Sequence, residues 1–533
     1  MKILFILLFL ISCGAQDNKI SKIDLASKDG LLIIGNGTEP SGLDPHIVTG
    51  VPEHKILLAL LEGLVIFNPK DSSVLPGVAK SWVISNDGLT YTFVFNEKAK
   101  WSNGEKIEPS DFVYSWKRIL SPELGAQYAD MLYVVKNAEK YHKSAIKDFN
   151  LVGIKANKNT LEVKLENPTP YFLNILTHYS TWPVHPETIE KYGGITNRDN
   201  KWTRVENFVG NGPFQITSWE INKYIKVKRN ELYWDNQNNK INGIEFLPIE
   251  NELTQDRLYR SKNIHLANTV PTEKIKKYRE ERPQELREHN YFGTYYYRLN
   301  VNKYPMSNIY FRKALSLAID RDLLVNSILK GNQKPSKSFT PADRNSYNPD
   351  TNLSFNPDLA KKYLDKSGFD IASQKPIELL YNTSEGHQKI AQAIQEMWKK
   401  YLGVSIVLTN VDWKVYLSRE TQGEYDISRA GWIGDYPDPF TFLDMMVTGR
   451  GNNKTGWSNL DYDSLLKDAS SEIDAKKRFS LYEEAETILI DELPVIPIYT
   501  YTRTYLLSSQ VKGWQENILD TNPYQFLSLE PEF

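Results

Sequence analysis

The distribution of apolar and polar positions predicts interleaved strands and helices. Residues 31–35 (LLIIG) form a short apolar run that predicts a buried strand. Residues 89–95 (LTYTFVF) alternate with period two behind an Asn86-Asp-Gly88 turn signal, the pattern of a half-buried strand. A helix is expected over 110–120 (SDFVYSWKRIL), with Ser110 as its cap. Further on, Phe311, Ala314, Leu315, Ala318 and Ile319 share one helix face. Residues 376–381 (PIELLY) predict a strand, and Ile390, Ile394, Met397, Trp398 and Leu402 a helix ended by Gly403. Val404, Ile406 and Leu408 alternate in a following strand, and 425–432 (YDISRAGW) form another. A strand–helix–strand unit of this length implies a parallel pair joined by a crossover, hence α/β organisation.

The chain has 533 residues, too many for one core, so two to four domains are expected. Neither repeats nor composition shifts mark their borders. A net charge of −2, with Lys and Arg scattered, excludes a polyanion-binding surface, so no nucleic-acid partner is expected.

The single cysteine changes the picture most. Cys13 excludes an intrachain disulfide and a cysteine metal cluster. It also ends a segment of one Lys and an apolar run too short to span a bilayer, the pattern of an export signal. Leu10-Ile11-Ser12-Cys13 resembles the bacterial lipobox, which implies cleavage before Cys13 and acylation of its thiol. The alternative is a plain secretory peptide. The polar stretch 14–29 is expected to be a tether. No later run is long and apolar enough to span a membrane, so contact with the membrane is expected through the anchor only.

Catalytic signatures are missing. The sequence contains no HExxH, Walker loop, GxGxxG or GxSxG, and its eight histidines are dispersed without metal-ligand spacing. Neither an enzyme nor a cofactor or metal is expected. One loop stands out, residues 429–439 (RAGWIGDYPDP), after a predicted strand where α/β sheets tend to bind ligands. Gly431 and Gly434 permit close backbone approach, Trp432 and Tyr436 offer walls with polar tips, and Asp435 supplies a negative charge. A rigid surface turn around a packed Trp is an equal reading of these residues.

At this loop the chain resembles the oligopeptide-binding proteins of solute-binding family 5. The likeness runs in order through 36–46 (NGTEPSGLDPH), 61–64 (LEGL), 76–82 (PGVAKSW), 89–93 (LTYTF), 101–104 (WSNG) and 111–118 (DFVYSWKR). It continues through 211–214 (NGPF), 229–235 (RNELYWD), 381–384 (YNTS) and 429–436. The resemblance implies a bilobal periplasmic-binding-protein-like clamp of class II, with three α/β domains and mixed sheets. Domain I would comprise 30–50, 186–292 and 503–533, domain II 51–185, and domain III 293–502, with closure hinging near 292 and 502. It further implies a monomer that holds short peptides in extended form between the lobes and passes them to ABC importer permeases.

By the same resemblance, Asp435 pairs with a peptide α-amine, and Arg429 and His387 are basic groups for its carboxylate end. Thr38 to Ser41, including Glu39, and Gly431 to Ile433 flank the peptide backbone. Tyr114, His178, Trp413 and Tyr501 line the cleft, although Tyr114 and Trp413 are also readable as core and the histidines as structural. Gly293 and Ile433 stand where many relatives carry a disulfide. Arg298 stands where close relatives have an acid and Glu420 where they often have an Arg, which implies altered charges in the side-chain pockets. Other cargo for the same fold (nickel, haem, an oligosaccharide, a signalling peptide) and a surface adhesion lipoprotein are the alternatives.

Overall fold

The computed structural model describes residues 20–199, 201–342, 347–372 and 375–532. The export signal and Cys13 lie outside the described residues. One eleven-stranded mixed sheet forms the backbone of the molecule. Its main strands are β1 (Leu31–Gly35), β2 (Phe214–Glu220), β3 (Tyr224–Arg229), β4 (Gly243–Leu247), β5 (Leu266–Ala267), β6 (Leu286–Leu299), β7 (Ile377–Asn382), β8 (Ile406–Val411), β9 (Ile427–Ile433) and β10 (Val495–Leu507). They lie in the order β8-β7-β9-β6-β10-β5-β1-β4-β3-β2, and the two-residue strand Lys334–Pro335 pairs with β10 off this path.

Two halves of this sheet are therefore joined by one antiparallel pair. β6 and β10, of 14 and 13 residues, run through both halves and pair with each other from Leu286↔Leu506 to Arg298↔Val495. Their register slips between Asn290 and Thr294, and again between Tyr295 and Tyr296. A slip leaves residues unpaired and bends the ribbon. A separate antiparallel sheet of Ala79–Ile84, Thr90–Phe95, Thr160–Lys164 and Ile154–Ala156 lies within residues 79–164.

The helices that matter below are α1 (Lys22–Lys28), α2 (Val51–Leu60), α3 (Pro109–Ile119), α4 (Ile309–Leu317), α5 (Glu385–Leu402) and α6 (Trp413–Gln422). The expected β7–α5–β8 unit forms, with β7 and β8 parallel in register from Ile377↔Ile406 to Asn382↔Val411. Ser384 caps α5, Gly403 ends it at φ 71°, and the predicted apolar face is buried. α4 likewise buries Phe311, Ala314 and Leu315.

Two local expectations are corrected. α3 starts one residue earlier than Ser110: Pro109 holds the first helical position and Glu108 is the cap, exchanging bonds with Asp111. Proline's fixed φ and missing N–H suit that position. The stretch 14–29 is not wholly a tether. Ser21 and Asp24 form a capping box for α1, and Ile23 and Ala26 are buried. Ser27 Oγ donates to Gln510 Oε1 at 2.5 Å, and Gln510 Nε2 donates to Asp24 Oδ1 at 2.6 Å, docking the segment onto the C-terminal part of the chain. Among the described residues no helix is long and apolar enough to cross a membrane.

Candidate functional site

A cavity of about 430 Å³ lies where β9 of the main sheet meets residues from other parts of the chain. That size falls within the usual range of small-ligand sites, roughly 300–1,000 Å³. Its centre is β9. This strand pairs with β6 along its whole length, Gly293↔Ile433 to Leu299↔Ile427. On its other side it meets β7 only at Ile427 and Ser428. Residues 429–433 therefore present one unpaired edge to the cavity.

The direction of that edge follows from one hydrogen bond. Tyr416 of α6 donates its hydroxyl to the carbonyl of Arg429, so the main-chain groups of Arg429 point away from β6. Alternation along the strand turns those of Gly431 the same way. Gly431 is exposed between less exposed neighbours, and a Cβ there would stand 2.5 Å from Tyr501 Oη. Glycine is thus required where the free edge passes closest to Tyr501. The geometry is that of a strand awaiting a partner strand.

A carboxylate without a cation sits just past the end of this edge. Asp435 is nearly buried, and its neighbours are neutral donors. Tyr128 donates to Oδ1 at 3.4 Å and Thr441 to Oδ2 at 3.3 Å, and His178 Nε2 lies 3.3 Å from Oδ1. His178 Nδ1 accepts from Ser180 N–H, which leaves the proton on Nε2, facing Asp435. Among the described residues no Lys or Arg forms an ion pair with Asp435. Burial pushes its carboxyl up to about 8; the Thr441 hydrogen bond opposes this, the charge of Asp130 adds to it, and the Tyr128 hydrogen bond opposes it more weakly. Burial, then His54, pushes His178 well below the ordinary range, so the imidazole is neutral.

A cation without a carboxylate stands toward the other end of the same edge. The Arg429 guanidinium lies 4.8 Å from the Tyr295 ring centroid and donates to Tyr501 Oη at 2.9 Å and Asn382 Oδ1 at 3.3 Å. Among the described residues its buried Nε has no hydrogen-bond partner. Burial opposes its charge, but the surrounding tyrosines, Tyr501 and Tyr295 first, outweigh it and hold it charged. Arg429 belongs to β9, so the two unmatched charges are separated by no more than the run 429–435.

Of the residues singled out in the sequence, His178, His387, Trp413, Arg429, Gly431, Trp432, Asp435 and Tyr501 line this one cavity, together with Thr38 and Ile433. Glu39 and Tyr114 do not. Glu39 accepts from Trp219 Nε1 at 2.7 Å and from the N–H of Asn222 at 3.0 Å, tying down a hairpin instead. Tyr114 donates to Glu190 at 2.7 Å beside the Val184, Ile189 and Trp202 cluster. His387, expected as a second basic group, is neutral: burial, then the charge of Arg429, pushes it well below its ordinary value. The cavity also takes in His54, Lys55, Tyr128, Arg503 and Asp520, which no motif flagged. His54 and Lys55 sit in a largely apolar helix that carries no motif, and only the folded chain brings Arg503 and Asp520 to the same cavity.

The two departures at the hinge and pocket have structural answers. Gly293 and Ile433 are direct ladder partners, and a Cβ at Gly293 would fall 2.4 Å from Ile433 Cδ1. Ile433 thus fills the space a larger residue would need. Arg298 and Glu420 are partners too: they form a buried ion pair, joined by Tyr296 on the guanidinium and by Tyr416 and Ser428 on the carboxylate.

The model of the bacterial extracellular solute-binding proteins, family 5, matches residues 73–454. The chain belongs to this family. As a family 5 binding protein it is 36% identical over 507 residues to the periplasmic oligopeptide-binding protein OppA of Salmonella typhimurium, covering 92% of this chain and 91% of that one. The structure of Haemophilus influenzae OppA in complex with RPPGFSPFR superposes with a TM-score of 0.90 at 33% identity, over 94% of this chain and 99% of that one. The Escherichia coli murein tripeptide binding protein MppA gives 0.89, over 94% of this chain and 98% of that one, whereas its unliganded open form gives 0.63 at the same 33% identity and the same coverage. Both comparisons involve MppA, so the gap reflects the arrangement of parts. The family 5 protein described here is arranged as in the first of these structures and not as in that open form.

Closure has an electrostatic consequence. Opening of the cleft would hydrate Asp435 and return its carboxyl toward the ordinary 3.8, whereas burial in the present arrangement pushes it up to about 8. Its penalty for empty closure therefore grows as pH rises from about 4 to 8, by up to about 1.4 kcal/mol per unit. Asp435→Asn removes the penalty. Small-angle scattering of ligand-stripped protein should show the variant more compact than the wild type, by a margin that widens from pH 5 to pH 8. A margin independent of pH would contradict this.

Proposed function

We infer that this family 5 protein captures short peptides in extended conformation and delivers them to an ABC importer. The observation that carries the reading is the free edge of β9 between an unmatched carboxylate and an unmatched guanidinium. A zwitterionic peptide satisfies all three features. Its main chain adds to the edge at Gly431, its ammonium pairs with Asp435 and its carboxylate with Arg429. The first contact is the same for every peptide, which supports breadth of sequence. A neutral oligosaccharide would leave the Arg429 guanidinium without an anion and Asp435 desolvated without a cation, both unfavourable. The relatives support the same cargo, by the names they carry and by the peptide bound in the Haemophilus structure.

The pair β6–β10 is the natural hinge, because it alone carries the main sheet from one half to the other and slips register at Asn290/Thr294, opposite Thr500–Thr502. Binding here involves no bond-making step, and the protein acts as a monomeric receptor rather than an enzyme. Acylation at Cys13 anchors it outside the cytoplasm; α1 then begins the folded body soon after the anchor. Palmitate labelling should mark the wild type and not Cys13→Ser, and equal labelling would reject the anchor.

Asp435→Asn keeps the shape of the site and removes its charge. Losing one side of a buried, hydrogen-bonded charge pair typically costs about 2–5 kcal/mol. Affinity should fall roughly 30-fold to several-thousand-fold. N-acetylated peptides should bind the wild type weakly and respond much less to the substitution. Calorimetry with free and acetylated forms of one peptide on both proteins closes the double-mutant cycle. A coupling near zero would remove Asp435 as the amine anchor.

A further inference from the structure

The cavity has a second cationic corner, on the opposite face of the sheet from Arg429. Ladder partners share a face. Tyr297 and Arg429 are partners, as are Tyr295 and Gly431; Arg298 with Ser428, and Tyr296 with Ala430, occupy the other face. There Arg298 and Glu420 form their ion pair, and Lys454 reaches the same cavity from the loop after Thr448, beside Leu417 and Asn452.

The charges of this corner do not cancel. Glu420 is consumed by Arg298 and by the hydroxyls of Tyr416 and Ser428, each 2.6 Å away. Its pKa is lowered: burial opposes this, but Arg298, then Lys454, outweigh it and keep it ionised. Lys454 donates to Thr421 Oγ1 at 3.3 Å, and its carbonyl is held by the Tyr425 hydroxyl, which fixes the loop. Among the described residues its ammonium forms no ion pair with a carboxylate. Burial, only partly offset by Glu420, lowers it to about 8. Two cations thus face one engaged carboxylate inside a closed cavity, and a desolvated ammonium calls for a partner.

We propose that this corner is a subsite for a carboxylate borne on a side chain of the ligand, so that the protein favours peptides with an Asp or Glu at one position. The proposal rests on the peptide reading above. An extended ligand on the edge of β9 sends its side chains alternately to the two faces. While its terminal carboxylate meets Arg429 on one face, an acidic side chain on the other meets Lys454, with Arg298 flanking. Arg298 and Glu420 stand where the resemblance implied the opposite charges; as a pair they cancel each other and leave Lys454 to set the sign of the corner.

The test is calorimetry with Ala-Ala-Ala and with tripeptides carrying Glu or Gln at each position in turn, on ligand-stripped protein. The wild type should bind one Glu peptide about tenfold or more tighter than its Gln counterpart, the size of a modest desolvated charge pair. The ratio should collapse in Lys454→Met and return in Lys454→Arg, while Ala-Ala-Ala binds all three proteins alike. Equal affinity for every Glu and Gln pair in the wild type would overturn the proposal, as would a preference that survives Lys454→Met. Amidated versions of the same peptides separate the other source of a carboxylate: if the Lys454→Met effect follows the C-terminus instead of the side chain, the corner serves the terminus and the proposal fails. Failure of Ala-Ala-Ala and of every substituted tripeptide to bind would overturn the peptide reading itself.

Discussion

The structure turns on a carboxylate that closure strips of water without giving it a cation. Asp435 has only neutral donors around it, and burial raises its carboxyl to about 8. A group in that state opposes empty closure and rewards closure on an ammonium, because pairing restores the charge that desolvation suppresses. Burying it without a cation therefore carries a cost that rises with pH between its ordinary value and about 8. On the proposed reading, the ligand's own charge is what favours the closed state.

The rest of the fold serves that exchange. β6 and β10 are shared by both halves of the main sheet, so a bend in this ribbon would move one half against the other without breaking their register. Because β7 leaves β9 after Ser428, a stretch of main chain remains unpaired at the cavity. In most proteins an open strand edge is a liability. Here it faces inward, between Arg429 and Asp435, where only a ligand that fits the closed cavity can pair with it. Tyr128 and His178 close over Asp435 from another part of the chain, and the Tyr128 and Trp432 rings lie 6.2 Å apart across the junction.

Much of this was legible in the sequence, and the rest was not for physical reasons. The β7–α5–β8 unit has clean periodicity and clear stop signals, so its elements and pairing were readable. The loop at 429–436 stood out by its glycines, aromatics and lone acid, and eight of the ten ligand-binding residues singled out do line one cavity. α1 was missed because only Ile23 and Ala26 mark its buried face; its remaining support comes from Gln510 and His265, hundreds of residues away. Glu39 and Tyr114 lie near cavity segments in the chain, but their side chains turn to Trp219 and Glu190. Arg298 and Glu420 looked like two separate departures, and only the β6–β9 register and the packing of α6 show them to be one ion pair. The neutral state of His387 likewise depends on its burial and then on the charge of Arg429, which no local pattern carries.

The central claim, that ligand charge and not ligand shape closes the clamp, is tested most directly by scattering from ligand-stripped wild-type protein at pH 7. One peptide is used in free and N-acetylated forms, each at concentrations that saturate by calorimetry. The free peptide should reduce the radius of gyration, and the acetylated form, which cannot replace the missing cation at Asp435, should leave it close to the empty value. Equal compaction by both forms would contradict the claim.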